Sequence, residues 1–414
     1  MIAASRSTSR ERGFSAWELA LTLLLLAVVV AIAVRLIDLR TRLLVVEKDD
    51  PGPGGVLDVA IRLFSRDLDA AGGGGIALDE AVRLVGDNAG ADGVTSYRAA
   101  AGTVAVRTGT DQLGLRGVIR SPLLTLSASP GPDESRFSNR ILKDASAVLL
   151  TASVPSSPTR AEKLRSVTER LAGPTERRRF FLAADASGRY AVALVRAWHP
   201  ARDRDQGLEL LLDFTDPEAV RLNRHGDADA DRALGEPATG GLLDDLVWFV
   251  ARGPEGRHPD YDAMSDPPSM KFPHPYLAVA EFAGNGRWEI TRVGEDVEDL
   301  QVAWGLAGGG DALAWRADVP GSAPPAAADL VDSEGRPVVR ALKVALTAKA
   351  ERRHVRGDGP PPSTEYAPLL NAPSPIPGAG PVGWDPGESR RVPFERASRE
   401  AVLALRGAGS LAPR

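Results

Sequence analysis

The chain has 414 residues, 43% of them apolar and 25% charged, which is the composition of a globular protein and excludes wholesale disorder. It has no cysteine, so disulfides, thiol catalysis, a lipoprotein anchor and cysteine-bound zinc are excluded. The formal net charge of −5 gives no indication of nucleic-acid binding, and we expect no nucleic-acid partner.

The amino-terminal region contains one long apolar segment, residues 14–34, preceded by Arg6, Arg10 and Arg12. A helix of about 20 residues spans roughly 30 Å, the thickness of the hydrocarbon core of a bilayer. The arginines favour a cytoplasmic amino terminus and translocation of the rest of the chain. The segment therefore predicts a single transmembrane helix.

Glu18 lies near the start of this apolar segment. A carboxylate within hydrocarbon costs about 2.5–3.5 kcal/mol even on lenient scales, so it needs a partner. No Lys or Arg follows Glu18 within one helical turn. The nearest cation would be a new amino terminus, created by cleavage just upstream.

The run Gly13-Phe14-Ser-x-x-Glu18-Leu, followed by uninterrupted apolar residues, resembles the prepilin cleavage and methylation motif of type IV pilin-like proteins. The resemblance implies that a prepilin peptidase cuts after Gly13 and that the new amino group of Phe14 is N-methylated. It also implies that Glu18 pairs with the amino terminus of a neighbouring subunit during assembly. A carboxylate that gains its counter-charge only on assembly would act as a register device.

Ala16 and Trp17 depart from the aliphatic residues usual in the family, which favours a minor subunit over a major one. Two other interpretations stay open. One is a secretory signal peptide with its apolar core over 19–30 and a cleavage site at Ala31-Ile-Ala33, giving a mature start at Val34. The other is a plain signal anchor, in which Glu18 lies among the headgroups.

The helical pattern continues to about residue 50, so the predicted transmembrane and filament-spine helix covers 14–50 after a leader of 1–13. Pro51-Gly-Pro-Gly-Gly55 ends it, because proline and glycine in series do not continue a helix. Apolar residues then recur at three- and four-residue steps and predict an amphipathic helix over 56–72. Residues 61–72 resemble the helix end of PilW-like minor pilins.

Beyond the glycine run 72–75, short alternating segments bounded by Gly, Pro, Asp or Ser predict strands. They occur at 103–107, 112–119, 147–153, 179–184, 190–198, 208–213, 245–250, 276–283, 288–293, 300–305 and 338–349. We therefore predict an α+β fold: a pilin-like amino-terminal transmembrane helix followed by an antiparallel β-sheet domain with long loops. This β-rich domain covers 76–354 and faces the periplasm, with a Pro-rich loop at 355–388 and a carboxyl-terminal segment at 389–414.

Two segments of the β-rich domain also resemble PilW-like proteins. Residues 293–305 contain the run Val297-Glu-Asp-Leu-Gln301, and residues 332–349 resemble the penultimate strand of that family. The glycine runs 72–75 and 308–310 lack the context of a phosphate-binding loop and are interpreted as linkers. The acidic pairs Asp244-Asp245 and Glu298-Asp299 are of a kind common on solvated faces.

Three carboxylates alternate at Asp227, Asp229 and Asp231. Calcium takes several oxygen ligands from one loop, so a calcium site is one hypothesis for this run. The glycine and the final glutamate of a calcium-binding loop are missing, since Arg232 and Ala238 stand in the corresponding region. A charged, exposed loop without a cofactor is the favoured alternative.

The sequence contains no G-x-S-x-G or H-E-x-x-H motif, and we expect no enzyme activity. The resemblance instead implies a structural minor pilin of the inner membrane, single-pass with a periplasmic carboxyl-terminal domain. It implies processing by a prepilin peptidase and N-methyltransferase and assembly with other minor and major pilins into a type IV pilus. A minor pseudopilin of type II secretion and a membrane-tethered β-rich binding module are the alternatives.

Overall fold

The structure is a computed structural model, and it describes residues 53–76, 78–86, 94–128, 148–155, 157–173, 177–185, 189–200, 207–223, 237–253, 255–256, 272–307, 313–317, 339–353 and 394–405. All of these residues belong to one compact unit, Pro53–Arg414. The leader 1–13, the segment 14–50 and the Pro-rich loop 355–388 lie outside the described residues.

The described residues form four helices and nineteen strands. The helices are α1 (Pro53–Ala70), α2 (Leu78–Ala81), α3 (Arg160–Leu171) and α4 (Pro217–Leu222). The strands are β1 (Val82–Gly86), β2 (Ser96–Ala99), β3 (Gly102–Ala105), β4 (Gln112–Gly117), β5 (Leu124–Ala128), β6 (Val148–Ser153), β7 (Phe180–Asp185), β8 (Tyr190–Pro200), β9 (Gly207–Asp213), β10 (Pro237–Leu242), β11 (Asp244–Ala251), β12 (Glu255–Gly256), β13 (Phe272–Pro273), β14 (Tyr276–Gly284), β15 (Arg287–Glu295), β16 (Val297–Ala307), β17 (Leu313–Ala317), β18 (Val339–Arg353) and β19 (Phe394–Ala404).

Helix α1 corresponds to the helix predicted over 56–72 and begins three residues earlier, at Pro53. Proline fits the first turn of a helix, because its missing N–H has no intrahelical acceptor there. One face of α1 is buried through Leu57, Ala60, Phe64 and Leu68. These positions are three or four residues apart, the spacing that places side chains on one side of a helix.

A five-stranded antiparallel sheet lies at the centre of the fold, in the order β1-β4-β11-β14-β15. Helix α1 packs on it, with Phe64 against Trp248 at 5.1 Å between ring centroids. Trp248, Phe249 and Trp304 are all buried in the core.

A closed six-stranded antiparallel barrel is built from one continuous part of the chain, β5 to β10, in the order β10-β5-β6-β9-β8-β7. The strands that flank it in sequence, β4 and β11, pair directly with each other. The barrel is thus an insertion between two neighbouring strands of the central sheet. It has its own core, to which α3 contributes Leu164, Val167 and Leu171.

The third large element is a four-stranded antiparallel sheet, β17-β16-β18-β19. Its buried residues share one apolar core with α1 and the central sheet, through Leu300, Val302, Leu342, Val344 and Leu346. The strand pairs β2-β3 and β12-β13 form two small ribbons.

The predicted fold class is wrong. In place of one antiparallel sheet domain, the described residues divide their strands among a central sheet, a closed barrel, a second sheet and two small ribbons. Within the described ranges, no helix has the length and apolar character needed to cross a membrane. Alternating apolar residues predict strands correctly, but they do not determine which strands pair, so one sheet and several sheets produce the same pattern.

Candidate functional site

The residues predicted from the motifs lie outside the described part of the chain: Gly13, Phe14 and Glu18 at the amino terminus, and Asp227, Asp229 and Asp231 between α4 and β10. The structure therefore gives no distances for these six residues. Among the residues that the structure does describe, no group of three or more His, Asp or Glu side chains is placed to hold a metal ion.

The end of helix α1 is held by a buried carboxylate, Asp67. Asp67 is 1% exposed and accepts hydrogen bonds from Arg66 Nη2 at 2.9 Å and from Arg120 Nη2 at 3.2 Å. Arg120 belongs to the connection from the central sheet into the barrel. Asp67 therefore connects the end of α1 to the entrance of the barrel.

The glycine run 72–75, interpreted from the sequence as a linker, is a closely packed turn. Gly72 N–H donates to Arg116 O at 2.9 Å, and Val118 N–H donates to Gly73 O at 2.9 Å. Gly74 has a φ of +90°, and a Cβ there would lie 2.2 Å from Cδ2 of Leu182. The absence of side chains lets the chain pass between the central sheet and the barrel wall.

An ionic cluster lies where α1, the central sheet and the barrel meet. We use this name for Asp67, Arg120, Arg170, Arg177, Asp244 and Glu281. Arg170, in the last turn of α3, contacts both Asp244 and Glu281, with 3.0 Å between Nη2 and Oε1 of Glu281. Arg120 and Arg177 also pair with Glu281. The cluster thus connects three parts of the fold.

Asp244 is the most buried member of the ionic cluster, with 0% of its side chain exposed. Besides contacting Arg170, its Oδ2 accepts the backbone N–H groups of Ile119 at 3.0 Å and Arg120 at 2.7 Å. A buried carboxylate is tolerated when its oxygens are hydrogen-bonded and a cation is adjacent. Asp244 therefore fixes the chain at the point where it leaves β4 for the barrel.

Burial disfavours the charged form of two arginines at this site, Arg179 and Arg177. Burial lowers the pKa of Arg179 to about 10, and the charges of Arg177 and Arg170 lower it further. Burial also lowers the pKa of Arg177, an effect that Glu289 opposes. Arg179 Nε donates to Arg170 O at 2.6 Å, at the carboxyl-terminal end of α3, where a cation is favoured by the helix dipole.

A second polar contact joins the central sheet to the four-stranded sheet. The segment 105–111, called here the bridging segment, runs from the last residue of β3 to the residue before β4. On one side, Arg107 N–H donates to Val250 O of β11 at 2.8 Å. On the other side, Asp111 N–H donates to Leu300 O of β16 at 2.9 Å, and Val302 N–H donates to Asp111 Oδ2 at 2.8 Å.

Within this contact, Asp299 is 5% exposed and lies on β16. Burial raises the pKa of Asp299 to about 7, although the hydrogen bond from Gln301 and the charge of Arg107 oppose the shift. Gln301 Nε2 donates to Asp299 Oδ1 at 2.8 Å and to Gly109 O at 3.0 Å. One amide thus connects the carboxyl group to the bridging segment.

The interpretation of the acidic pairs as typical of solvated faces is wrong. Asp244 and Asp245 are 0% and 6% exposed, and Glu298 and Asp299 are 2% and 5% exposed. Charged residues are rarely buried without partners, so composition alone favours an exposed position. The arginines that pair with Asp244 and Asp245 are Arg170 and Arg83, from distant parts of the chain, and no local pattern reports such a pairing.

No protein-family model and no curated protein matches the chain. Among solved structures, the chain is similar to a type IV-like pilin from Thermus thermophilus, with 16% sequence identity over 59% of this chain and 95% of that one. The TM-score of this pair is 0.19, so the similarity carries no argument about a shared fold or function.

Proposed function

We propose that this protein is a structural minor subunit of a type IV pilus, cut after Gly13 by a prepilin peptidase and methylated on Phe14. The subunit resides in the inner membrane, with its carboxyl-terminal body in the periplasm, until it joins other minor and major pilins. The observation that carries the proposal is the sequence Gly13-Phe14-Ser-x-x-Glu18 at the start of an apolar segment.

The physical argument rests on the charge of Glu18. A carboxylate in the apolar segment is costly until a cation reaches it, and cleavage after Gly13 creates an amino group four residues upstream. In an assembled filament, the amino group of one subunit supplies the partner for Glu18 of its neighbour. The proposal therefore depends on this segment and not on the architecture of the β-rich body.

The segments that resemble PilW-like proteins support the choice of a pilus over a type II secretion pseudopilus. Two of them, 61–72 and 293–305, contain the buried carboxylates Asp67 and Asp299, and Asp67 pairs with Arg120 from the connection into the barrel.

Mass spectrometry of the amino-terminal peptide of the natively expressed protein tests the proposal. We expect a mature chain that begins with N-methylated Phe14. A chain that retains residues 1–13 or begins at Val34 contradicts the proposal, since these are the products expected of a plain anchor and of signal peptidase.

A pair of variants distinguishes a filament subunit from a membrane-tethered binding module. Glu18→Ala is expected to leave cleavage intact and to remove the protein from sheared filament fractions. Glu11→Ala is the matched control, because this acidic residue lies in the predicted leader and should have no effect on assembly. Equal recovery of both variants in filaments would contradict the role of Glu18.

A further inference from the structure

The contact between the bridging segment 105–111 and strand β16, called here the sheet junction, contains an unusual concentration of buried carboxylates. Asp111, Glu298 and Asp299 are 0%, 2% and 5% exposed, and Arg107 of the same contact is 9% exposed. An ionised carboxylate loses hydration on burial, and several carboxylates close together repel one another. Closing the sheet junction therefore removes Asp299 from water and favours its neutral form, whereas Asp111 is held by the N–H of Val302.

The sheet junction is also the hydrogen-bonded link between two sheets. The bridging segment pairs with β11 of the central sheet through Arg107 N–H to Val250 O at 2.8 Å and Arg252 N–H to Ala105 O at 2.9 Å. It holds β16 through Asp111 N–H to Leu300 O, Val302 N–H to Asp111 Oδ2 and Gln301 Nε2 to Gly109 O. Ionisation of a carboxyl group at the sheet junction therefore affects hydrogen bonds that join the central sheet to β16.

We propose that the sheet junction is a proton-dependent latch, closed while Asp299 is protonated and loosened when Asp299 ionises. Opening would separate the bridging segment from β16 and allow the carboxylate to become hydrated. The four-stranded sheet would then be held to the central sheet mainly by their common apolar core.

The groups around Asp299 agree with this assignment. On its own strand, Gln301 donates to it and Glu298 repels its charge. From the bridging segment, Arg107 attracts the ionised form. Opposite it on β18 is Thr347, whose hydroxyl lies 2.9 Å from Ser398 Oγ of β19. Burial outweighs the favourable contacts and raises the pKa of Asp299 to about 7.

The direction of the pH dependence follows from linkage. In the opened junction Asp299 is hydrated and has its ordinary pKa of 3.8, whereas in the closed junction the pKa is about 7. The opened state therefore loses its proton first, so opening becomes more favourable as the pH rises between these values. Above the higher value, both states are ionised and the effect reaches a plateau.

Hydrogen–deuterium exchange of the full chain in mild detergent tests the proposal, measured between pH 5 and pH 8.5 and corrected for intrinsic exchange rates. We expect protection of peptides covering 105–111 and 298–302 to fall at least tenfold from pH 5 to pH 8. Asp299→Asn, which keeps the shape of the protonated carboxyl group, should hold protection constant over this range.

A matched control is Asp213→Asn, which alters another buried aspartate, in the barrel, and should leave the pH dependence of the sheet junction as in the unmodified chain. If Asp299→Asn does not fold, Gln301→Leu provides a second test. This variant also loses the bond to Gly109 O, so protection should be lower at every pH, but the loss of a donor to the ionised form should still shift the midpoint of the protection change to higher pH. Any one of four results would overturn the proposal: constant protection in the unmodified chain, pH-dependent protection in Asp299→Asn, loss of the pH dependence in Asp213→Asn, or an unchanged midpoint in Gln301→Leu.

Discussion

Arg170 of helix α3 and Asp244 of strand β11 are 74 residues apart in the chain, and their contact joins the inserted barrel to the central sheet. Asp244 is fully buried and Arg170 is 20% exposed. The pair therefore lies in an environment where water screens charges weakly, and each partner depends on the other for compensation. Because α3 packs in the barrel core, this pair connects the interior of the insertion to its host sheet.

Asp244→Asn is expected to lower the free energy of unfolding by about 3 kcal/mol, near the lower end of the range for breaking a buried ion pair, because Arg170 keeps its contact with Glu281. Urea titration of the purified chain followed by circular dichroism measures this change. Arg165→Ala is the matched control on α3, since its ion pair with Glu169 is 73% and 64% exposed and should contribute about 0.5 kcal/mol or less. Comparable losses in both variants would contradict the role assigned to Asp244.

Gly74→Ala is expected to destabilise the chain by about 1–3 kcal/mol, because a methyl group at this left-handed position would lie 2.2 Å from Cδ2 of Leu182. Gly286→Ala is the matched control. Gly286 also has a positive φ, +67°, but a Cβ there meets nothing within 4 Å. Urea titration should show the larger loss of unfolding free energy for Gly74→Ala. Equal losses would contradict this expectation, because they would mean that backbone strain, and not the contact with Leu182, causes the destabilisation.

Phe64→Ala is expected to lower the free energy of unfolding by about 3–5 kcal/mol, since Phe64 is 1% exposed and packs edge-to-face on Trp248. Arg62→Ala lies on the exposed side of the same helix and should change stability by about 0.5 kcal/mol or less. Thermal unfolding of both variants measures the difference. A small effect of Phe64→Ala would mean that α1 is not an integral part of the apolar core.

Local patterns predicted individual strands well. The segments expected at 112–119, 208–213 and 276–283 correspond to β4, β9 and β14, because alternation and flanking turn residues are encoded within a few positions. Helix α3 was missed. Of its twelve residues only Leu164, Val167 and Leu171 are buried, so the apolar repeat is short and the rest of the helix is polar.

The arrangement of the strands was not predictable in the same way. The pairing of β4 with β11 spans the whole barrel insertion, and barrel closure depends on β10 reaching both β5 and β7. Such contacts depend on which surfaces bury most apolar area together, which no short window reports. The buried carboxylates Asp244 and Asp299 illustrate the same limit, because their surroundings come from distant segments.

Asp213 provides a pH prediction opposite in sign to that of Asp299. Burial by itself raises the pKa of Asp213, but hydrogen bonds from Thr215 and Arg196 outweigh it, and the pKa is lowered overall. The ionised carboxylate accepts from Thr215 N at 2.9 Å, from Thr215 Oγ1 at 2.7 Å and from Arg196 Nε at 2.9 Å. These bonds favour the charged form in the folded state.

A lowered pKa in the folded state means that Asp213 stabilises the fold above its ordinary pKa of 3.8 and loses this contribution as the pH falls through the folded-state value. Asp213→Asn should therefore cost about 1 kcal/mol at pH 7, the net contribution of a hydrogen bond, because its donors Thr215 and Arg196 are exposed and can be hydrated, and progressively less below pH 4. Urea titrations of the variant and the unmodified chain at pH 7 and pH 3 measure the change. Asp185→Asn is the control for a second buried aspartate in the barrel. A loss of unfolding free energy in Asp213→Asn that stays constant between the two pH values would contradict the assigned direction, because a packing defect that does not involve charge does not titrate.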